Sequence, residues 1–164
     1  MINYICINGK KAELTEEQMK ALGIELPKAS PFERVKRGKT YYAIHEAGDI
    51  IQHYDVNDAV DNGNFNAANY CTDKAILEQR ALHETLTRLL WRYSMEHDGD
   101  KIDWSTRRDK WFFTYDCKEN RFVSCNCQFV FRIGGVYFAS REIANKAIEE
   151  IAKPFIAAHP DFKF

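Results

Sequence analysis

The 164-residue sequence lacks a long apolar run, an excess of one charge and a regular cysteine framework. The sequence contains no run of about 18 apolar residues, the length that could span a bilayer. Its start, MINYICINGK, lacks the apolar core of a signal peptide. The 23 Lys and Arg nearly balance the 24 Asp and Glu, so no global field attracts nucleic acid or an anionic membrane. The five cysteines are odd in number and scattered, which favours reduced thiols. We therefore expect a cytoplasmic protein with no membrane partner.

Short catalytic motifs are also missing. The sequence contains neither a glycine-rich phosphate-binding loop nor the GxSxG motif of a serine hydrolase. The segment His83-Glu84-Thr85-Leu86-Thr87 resembles the HExxH motif of zinc proteases, but Thr87 stands where that motif needs its second imidazole ligand. Sequence order alone leaves open a catalytic triad assembled in space. Nothing indicates one, so we expect a protein that is not an enzyme and needs no cofactor.

Two cysteines on one predicted strand raise the question of a metal site. Cys125 and Cys127 lie on the same side of that strand, where they could begin a zinc site. Val123, Phe129 and Phe131 share that side and favour a core interpretation. No second pair of Cys or His has the usual ligand spacing, so we expect buried thiols rather than a metal.

The segment 56–69 is rich in Asp, Asn and Gly and is predicted to be an exposed loop. A calcium-binding EF-hand loop that starts at Asp55 would need an oxygen ligand at its fifth position and Glu at its twelfth, where Ala59 and Asn66 stand. Loops of this length in compact domains are usually binding elements or mobile. We therefore include among the candidate binding residues three carboxylates of this region, Asp55, Asp58 and Asp61.

The remaining patterns predict an α+β fold in one compact domain overall. Residues 1–30 are expected to form a hairpin across Asn8-Gly9 and a short helix that is capped by Thr15 and ended by Gly23, with a linker at 25–31. Residues 31–164 are expected to form the main α+β domain. The predicted strands of this domain are 32–35, 41–44, 50–54, 70–71, 101–104, 111–115, 121–132 and 136–138. Its two main helices are 72–97, capped by Thr72, and a second helix that begins at Ser140 and ends or kinks at Pro154.

The two β sections of the main domain share an order of parts. In each, a basic turn precedes an aromatic strand, a second strand follows, and an aromatic doublet leads into a capped helix. The segments concerned are Asn69-Tyr70-Cys71-Thr72 and Val136-Tyr137-Phe138-Ala139-Ser140. This weak repeat predicts two β-β-β-α units whose strands form one antiparallel sheet, with both helices on the same face. The alternative is that any α+β meander places basic turns before aromatic strands.

The two basic turns are candidate binding sites because cations beside rings can hold phosphates and stack bases. The side chains concerned are Lys36, Arg37, Lys39 and Tyr41 in the first β section and Arg107, Arg108, Lys110 and Phe112 in the second. Strand alternation would expose Tyr41 and Phe112 if the residues next to them face the helices. The alternative is that the turns are basic for solubility and the rings are buried, which the net charge of −1 favours.

Several phrases of the sequence resemble a family of small, mostly uncharacterised proteins from phages and prophages of gut Gram-positive anaerobes. These phrases are Ile7-Asn8-Gly9-Lys10, Pro31-Phe32-Glu33-Arg34-Val35, Gly38-Lys39-Thr40-Tyr41-Tyr42-Ala43-Ile44, Asn69-Tyr70-Cys71-Thr72-Asp73-Lys74 and Val136-Tyr137-Phe138-Ala139-Ser140. The resemblance carries no active residue and implies context only. Phage accessory proteins of this size often block or divert a host defence enzyme by binding it.

Two hypotheses about function follow. The first is a phage-type, non-enzymatic binding protein that acts in the host cytoplasm and inhibits or modulates a host or defence protein, in an anti-CRISPR or other anti-defence role. The second is a nucleic-acid-binding module that uses the two basic turns. A homodimer is possible if a second copy covers the aromatic face of the predicted sheet.

Overall fold

The computed structural model describes residues 4–7, 10–23 and 30–163. The chain divides into two compact units, Met1–Glu33 and Arg34–Phe164. The helices and strands are β1 (Tyr4–Ile7), β2 (Lys10–Glu13), α1 (Glu16–Ala21), β3 (Thr40–Ile44), β4 (Ile50–Tyr54), α2 (Ala59–Asn66), α3 (Lys74–Glu96), β5 (Lys110–Asp116), β6 (Arg121–Cys127), α4 (Arg141–Ala147) and α5 (Lys153–Ala158). Helices and antiparallel strands confirm the predicted α+β class.

The first unit contains the predicted hairpin and short helix. Strands β1 and β2 pair in antiparallel register, and the Asn8-Gly9 turn lies outside the described residues. Thr15 caps α1, because its hydroxyl accepts from the Gln18 amide at 3.3 Å and its own amide donates to the Gln18 side chain at 2.9 Å. Gly23 follows the helix with a φ of +68°, which glycine adopts without strain. Of the predicted linker, residues 25–29 lie outside the described part.

The prediction of an exposed loop over 56–69 is wrong, because the centre of that segment is helix α2. The Asp58 side chain accepts from the Asp61 amide at 2.9 Å, and the Asp61 side chain accepts from the Asp58 amide at 3.2 Å. This reciprocal capping satisfies donors that a helix start leaves open. The predicted strand at 32–35 is also absent, since that segment is turn and irregular backbone from which the Arg34 side chain enters the interior.

The long helix α3 confirms the strongest periodic prediction, with one change at its start. Asp73 rather than Thr72 is the N-cap, and its carboxylate accepts from the Ala75 amide at 2.9 Å. The buried apolar stripe is Leu77, Ala81, Leu90 and Tyr93. Beyond the helix, the predicted strand 101–104 is wrong. A short 3-10 helix, Gly99–Lys101, and irregular backbone occupy that stretch.

The second hairpin, β5 with β6, is shorter than predicted. Strand β6 was expected to reach Arg132, but it ends at Cys127. Cys127 lies opposite Lys110, which is the first residue of β5. The residues after Cys127 therefore have no partner on β5, and they leave the hairpin as an irregular segment.

The C-terminal helical chain runs without a break from α4 into α5. Ser140 caps α4, as predicted, by accepting from the Ile143 amide at 3.2 Å. A π-helical segment, Ile148–Ala152, joins the two helices directly before Pro154. Proline cannot donate to the preceding turn and its ring crowds the carbonyl four residues back, so the wider π turn accommodates it. The interior of this region is Leu90, Tyr93, Phe138, Ala144 and Ala147.

The tail after α5 docks on α3. Gln79 holds it from both sides, since its side-chain amide donates to the Asp161 carbonyl at 2.8 Å and accepts from the Lys163 amide at 2.9 Å. One turn along α3, the His83 ring lies 2.7 Å from the Lys163 carbonyl and stacks at a tilt on Phe162. His83 of the HExxH-like segment therefore holds the tail.

The predicted repeat is present as two hairpins that each pair with one further residue. Tyr42 of β3 forms an antiparallel bridge with Cys71, and Trp111 of β5 forms one with Phe138. In both cases the N-cap of the next helix follows two residues after the bridge. The prediction that all strands form one antiparallel sheet is wrong. Within the described residues the strands form three separate two-stranded sheets.

Candidate functional site

Two of the three acidic candidate residues are buried beside β3 and β4 rather than exposed on a loop. Asp55 is 1 % exposed and Asp61 is 3 % exposed. They belong to a set of side chains that we call the polar cluster, whose members are Arg34, Tyr41, Asp55, Asp61 and Tyr70. The third candidate, Asp58, is exposed and caps α2.

Arg34 and Asp55 form the centre of the polar cluster. The guanidinium donates to both carboxylate oxygens, from Nε to Oδ2 at 2.8 Å and from Nη2 to Oδ1 at 3.1 Å. The Tyr70 hydroxyl donates to Oδ2 at 2.9 Å, and the Asn57 amide donates to Oδ1 at 2.9 Å. Such a two-pronged pair is strong where it is shielded from water. Asp55 is thus fully occupied by groups of its own chain.

The other half of the polar cluster is built on Tyr41. Its hydroxyl donates to Asp61 Oδ1 at 2.8 Å and accepts from Asn64 Nδ2 at 3.2 Å. Its ring stacks on Tyr70 with centroids 3.9 Å apart and planes 13° apart. Asp61 Oδ2 also accepts from the Val56 amide at 2.8 Å. In the described residues no buried side-chain nitrogen or oxygen lacks a hydrogen-bond partner.

The charges of the polar cluster are fixed across the neutral range. The Arg34 guanidinium holds the pKa of Asp55 below its ordinary value. Burial acts to raise the pKa of Asp61, but the hydrogen bonds from Tyr41 and nearby amides outweigh it and the pKa is lowered. Burial, with the hydrogen bond to Asp61, raises the pKa of Tyr41 to about 12. A general acid or base works best with a pKa near the operating pH, so this chemistry favours a structural role for the cluster.

The cations of the first basic turn are exposed, whereas the ring predicted to lie beside them is buried. Lys36, Arg37 and Lys39 are exposed around a tight turn at Gly38. Tyr41, the ring expected to stack beside them, is 0 % exposed inside the polar cluster. Base stacking on Tyr41 would require the hairpin to open, so this turn offers charge without a stacking surface.

The second basic turn divides in the same way. Arg107 and Arg108 are exposed, whereas Lys110 is 2 % exposed, donates from Nζ to the Thr106 carbonyl at 2.7 Å and lies over the Trp104 ring. Phe112 is buried, and the guanidinium of Arg132 covers it at 4.5 Å from the ring centroid. Both predicted stacking rings, and one predicted cation, are therefore interior groups.

The most exposed apolar surface lies where the sequence predicted the end of a strand. We call residues 128–135 the apolar loop. Phe129 is 59 % exposed, Val130 65 %, Phe131 57 % and Ile133 98 %. Phe129 and Phe131 were predicted to be core residues, and that prediction is wrong. Large apolar side chains concentrated on one exposed segment mark interaction surfaces in folded proteins.

The apolar loop is held in place at its base. Gln128 donates from Nε2 to Asp109 Oδ1 at 3.2 Å, and the Arg132 amide donates to the Tyr137 hydroxyl at 2.7 Å. One face of the Phe131 ring meets Tyr137, with centroids 5.6 Å apart, and its edge meets Trp104 at 5.2 Å. The anchored base means that the exposed side chains are presented from an ordered backbone.

The surroundings of the apolar loop are basic. Arg132 belongs to the loop, and Gln128 of the loop donates to Asp109, which directly follows the exposed Arg107 and Arg108 in the sequence. Asp109 is the nearby acidic group that this contact engages. The loop therefore combines apolar side chains with exposed guanidinium groups, an arrangement that favours a partner with an apolar centre and an acidic rim.

The sequence contains a pattern that indicates this loop, although the segment was predicted to be a strand. Apolar residues stand at 129, 130, 131 and 133, on both parities, whereas a half-buried strand alternates. The glycines at 134 and 135 mark the return of the chain, and Gly134 has a φ of +77°. Both features indicate a loop at the point where β5 can no longer supply a partner.

Comparison with protein-family models, with curated proteins and with solved structures gives no match. No helix within the described residues has the length and apolar character needed to cross a membrane. In the same part of the chain, no three His, Cys, Asp or Glu side chains are grouped as a metal site would require.

Proposed function

We propose that this chain is a non-enzymatic binding protein that holds a protein partner on the apolar loop. The observation that carries the proposal is the exposure of four large apolar side chains on one anchored segment. Burying one such side chain in a partner is worth about 1.5–3 kcal/mol. Phe131 packs against Tyr137 and Trp104, but Phe129, Val130 and Ile133 are each more than half exposed.

A protein suits this surface better than a nucleic acid does. Two of the four exposed side chains, Val130 and Ile133, are aliphatic and give no face on which a base stacks. The rings predicted to stack bases, Tyr41 and Phe112, are buried. The exposed arginines near the loop would then pair with acidic groups at the rim of the partner, which speeds association more than it strengthens it.

The proposed partner is a host or defence protein, in line with the resemblance to phage-encoded proteins. The matched test uses the full chain as bait in a host lysate. A double variant, Phe129→Ser with Ile133→Ser, removes two anchors. Trp91→Ser removes a side chain of similar exposure, 59 %, from α3 and serves as the control.

The expected result is one host protein retained by the wild type and by Trp91→Ser, with at least about tenfold less retained by the loop variant. Equal thermal unfolding of the three proteins would show that the loop variant is folded. Retention of the same protein by the loop variant would contradict the proposal. A wild-type dimer in light scattering that becomes a monomer in the loop variant would show that a second copy occupies the loop instead.

A further inference from the structure

A cleft of about 630 Å³ lies away from the apolar loop, between the turn of the second hairpin and the C-terminal helical chain. Tyr115 and Phe122 line it on the hairpin side, and Ile148 and Ile156 line it on the helical side. Volumes of this size are typical of sites for small molecules, which are mostly apolar with a few polar groups that orient the ligand. The walls therefore supply an apolar body for a ligand.

Two side-chain amides and one guanidinium at this cleft are available as hydrogen-bond donors. The Tyr115 hydroxyl donates to Asn120 Oδ1, and the Ser124 hydroxyl donates to Asn145 Oδ1, so both amide oxygens are engaged and both NH₂ groups remain available. Arg121 lines the same cleft, and its guanidinium makes no hydrogen bond or ion pair with any described residue. Donors without acceptors call for a ligand that is rich in acceptors.

The net charge of the walls has the same sign. Lys153 at the cleft is paired with Glu149 at 2.6 Å, so these two groups offset each other. Arg121 remains as a cation with no ion-pair partner among the residues that the structure describes. A guanidinium presents parallel N–H groups that match a carboxylate or a phosphate. The cleft is thus positive as well as donor-rich.

The helical wall of the cleft is irregular where it meets the ligand space. Ile148 and Glu149 begin the π-helical segment, and Lys153 follows it. Pro154 accounts for that segment physically, but single π turns also occur frequently at functional sites, where they alter which side chains face a cavity. The wider turn brings an apolar group and an ion pair to one rim.

We propose that this cleft binds a small organic anion with a flat apolar body, of which an aromatic carboxylate and a nucleoside monophosphate are the two available sources. The anionic group would accept from Arg121 and from the Asn120 amide. The flat body would lie against Phe122 and Ile156. This site is separate from the apolar loop, and the inference does not depend on the proposed function.

The test is a titration of the ¹⁵N-labelled full chain, followed by NMR, with AMP, with indole-3-acetate, and with adenosine and inorganic phosphate as matched controls. The expected result is saturable shifts of the backbone amides at 120–122 and 145–149 with at least one of the two amphipathic anions. The anion that saturates identifies the source. Adenosine and phosphate each lack one half of the required chemistry and should not saturate.

Three variants locate the binding. Arg121→Gln should weaken the affinity at least about tenfold, since it removes a charge-assisted hydrogen bond from an exposed position. Ala157→Phe fills the cleft from an exposed helical position and should abolish the shifts while the charge is retained. Arg37→Gln, in the turn before the first hairpin, should leave the affinity unchanged.

Any of four results would overturn the inference. These are no saturation with either anion, equal affinity for phosphate alone, unchanged affinity in both Arg121→Gln and Ala157→Phe, and shifts confined to residues 128–135. Undisturbed resonances of β3 and β4 would show that each variant is folded.

Discussion

The two β sections of the main domain, hairpin β3–β4 and hairpin β5–β6 each with its bridge and the helix that follows, share a backbone plan. Their interiors differ in chemistry. Tyr41 and Lys110 occupy equivalent positions, because each directly precedes the residue that forms the bridge. The Tyr41 hydroxyl is buried against the Asp61 carboxylate, and the Lys110 ammonium is buried against the Trp104 ring and the Thr106 carbonyl. The comparison teaches that one arrangement of hairpin, bridge and capped helix tolerates either an ionic or an aromatic interior.

The two β sections also differ in the chain between the second strand and the bridge. In the first β section this chain contains α2 with Asp55, Asp61 and Tyr70 of the polar cluster, and in the second it contains the apolar loop. Tyr70 and Tyr137 again correspond, since the Tyr70 hydroxyl accepts from the Val35 amide at 3.0 Å and the Tyr137 hydroxyl accepts from the Arg132 amide at 2.7 Å. In the first β section the carboxylates Asp55 and Asp61 face inward while Val56 and Val60 remain exposed, and in the second the four apolar side chains of the loop are exposed.

The largest expected effect on this comparison comes from Asp55→Ala. Removing that carboxylate leaves the half-buried Arg34 and the buried Tyr70 hydroxyl without their acceptor, so we expect a loss of about 3 kcal/mol in the free energy of unfolding. Urea denaturation followed by circular dichroism measures it. Asp49→Ala, an exposed carboxylate in the turn of the same hairpin, is the control and should change stability by less than about 0.5 kcal/mol. Equal losses of stability would show that the ionic interior is not what stabilises the first β section.

The equivalent positions allow a paired test. Tyr41→Phe leaves Asp61 buried with one donor fewer and should cost about 1–3 kcal/mol. Lys110→Met removes the buried charge itself while keeping a similar shape, and should cost less than about 1.5 kcal/mol. The same denaturation experiment gives both values. A larger cost for Lys110→Met would reverse the assignment of ionic and aromatic interiors.

Acid should weaken the first β section in particular. Because the folded-state pKa of Asp55 is depressed by Arg34, its contribution is present above the unfolded pKa of about 3.9 and is lost as the pH falls through the lower folded value. The stability difference between the wild type and Arg34→Met should therefore shrink as the pH is lowered below about 4. The difference for Lys110→Met should stay nearly constant. Urea midpoints measured from pH 7 down to pH 3 would decide, and parallel curves for both variants would contradict the expectation.

The smallest effects are expected at the two helix starts. Asp73→Ala and Ser140→Ala each remove the N-cap that follows the bridge by two residues, and each should cost about 1 kcal/mol. Thermal unfolding of the single variants and of the double variant gives the values. Similar single losses that add in the double variant would support two equivalent, independent starts, and an unaffected Asp73→Ala would remove the parallel.

The sequence predicts local structure well where one pattern acts alone. The stripe of α3, the capping box at Thr15 and the strand Ile50–Tyr54 are all present, since each depends on neighbours within a few residues. The start of α2 was missed because Asp and Asn are usual in loops, and only the reciprocal contact of Asp58 and Asp61 makes them a helix start.

Features that depend on contacts between separate segments could not be predicted from the periodicity of the sequence. The end of β6 is set by the length of β5, so the apolar loop depends on the pairing of Cys127 with Lys110, which lies 17 residues earlier in the chain. The burial of Tyr41 depends on Asp61, which lies 20 residues away along the chain. The cleft at Arg121 forms only when the helical chain meets the hairpin. Pairing between distant segments therefore decided the candidate sites.

The satisfied hydrogen bonds of the polar cluster have a consequence for how substitutions in related chains are interpreted. We expect related chains to retain Arg34, Asp55 and Tyr70 because folding needs them, and such conservation resembles that of a catalytic site. Ile133 carries no such constraint and is free to diverge with whatever it contacts. In this chain, rapid change on the apolar loop would be the better marker of function.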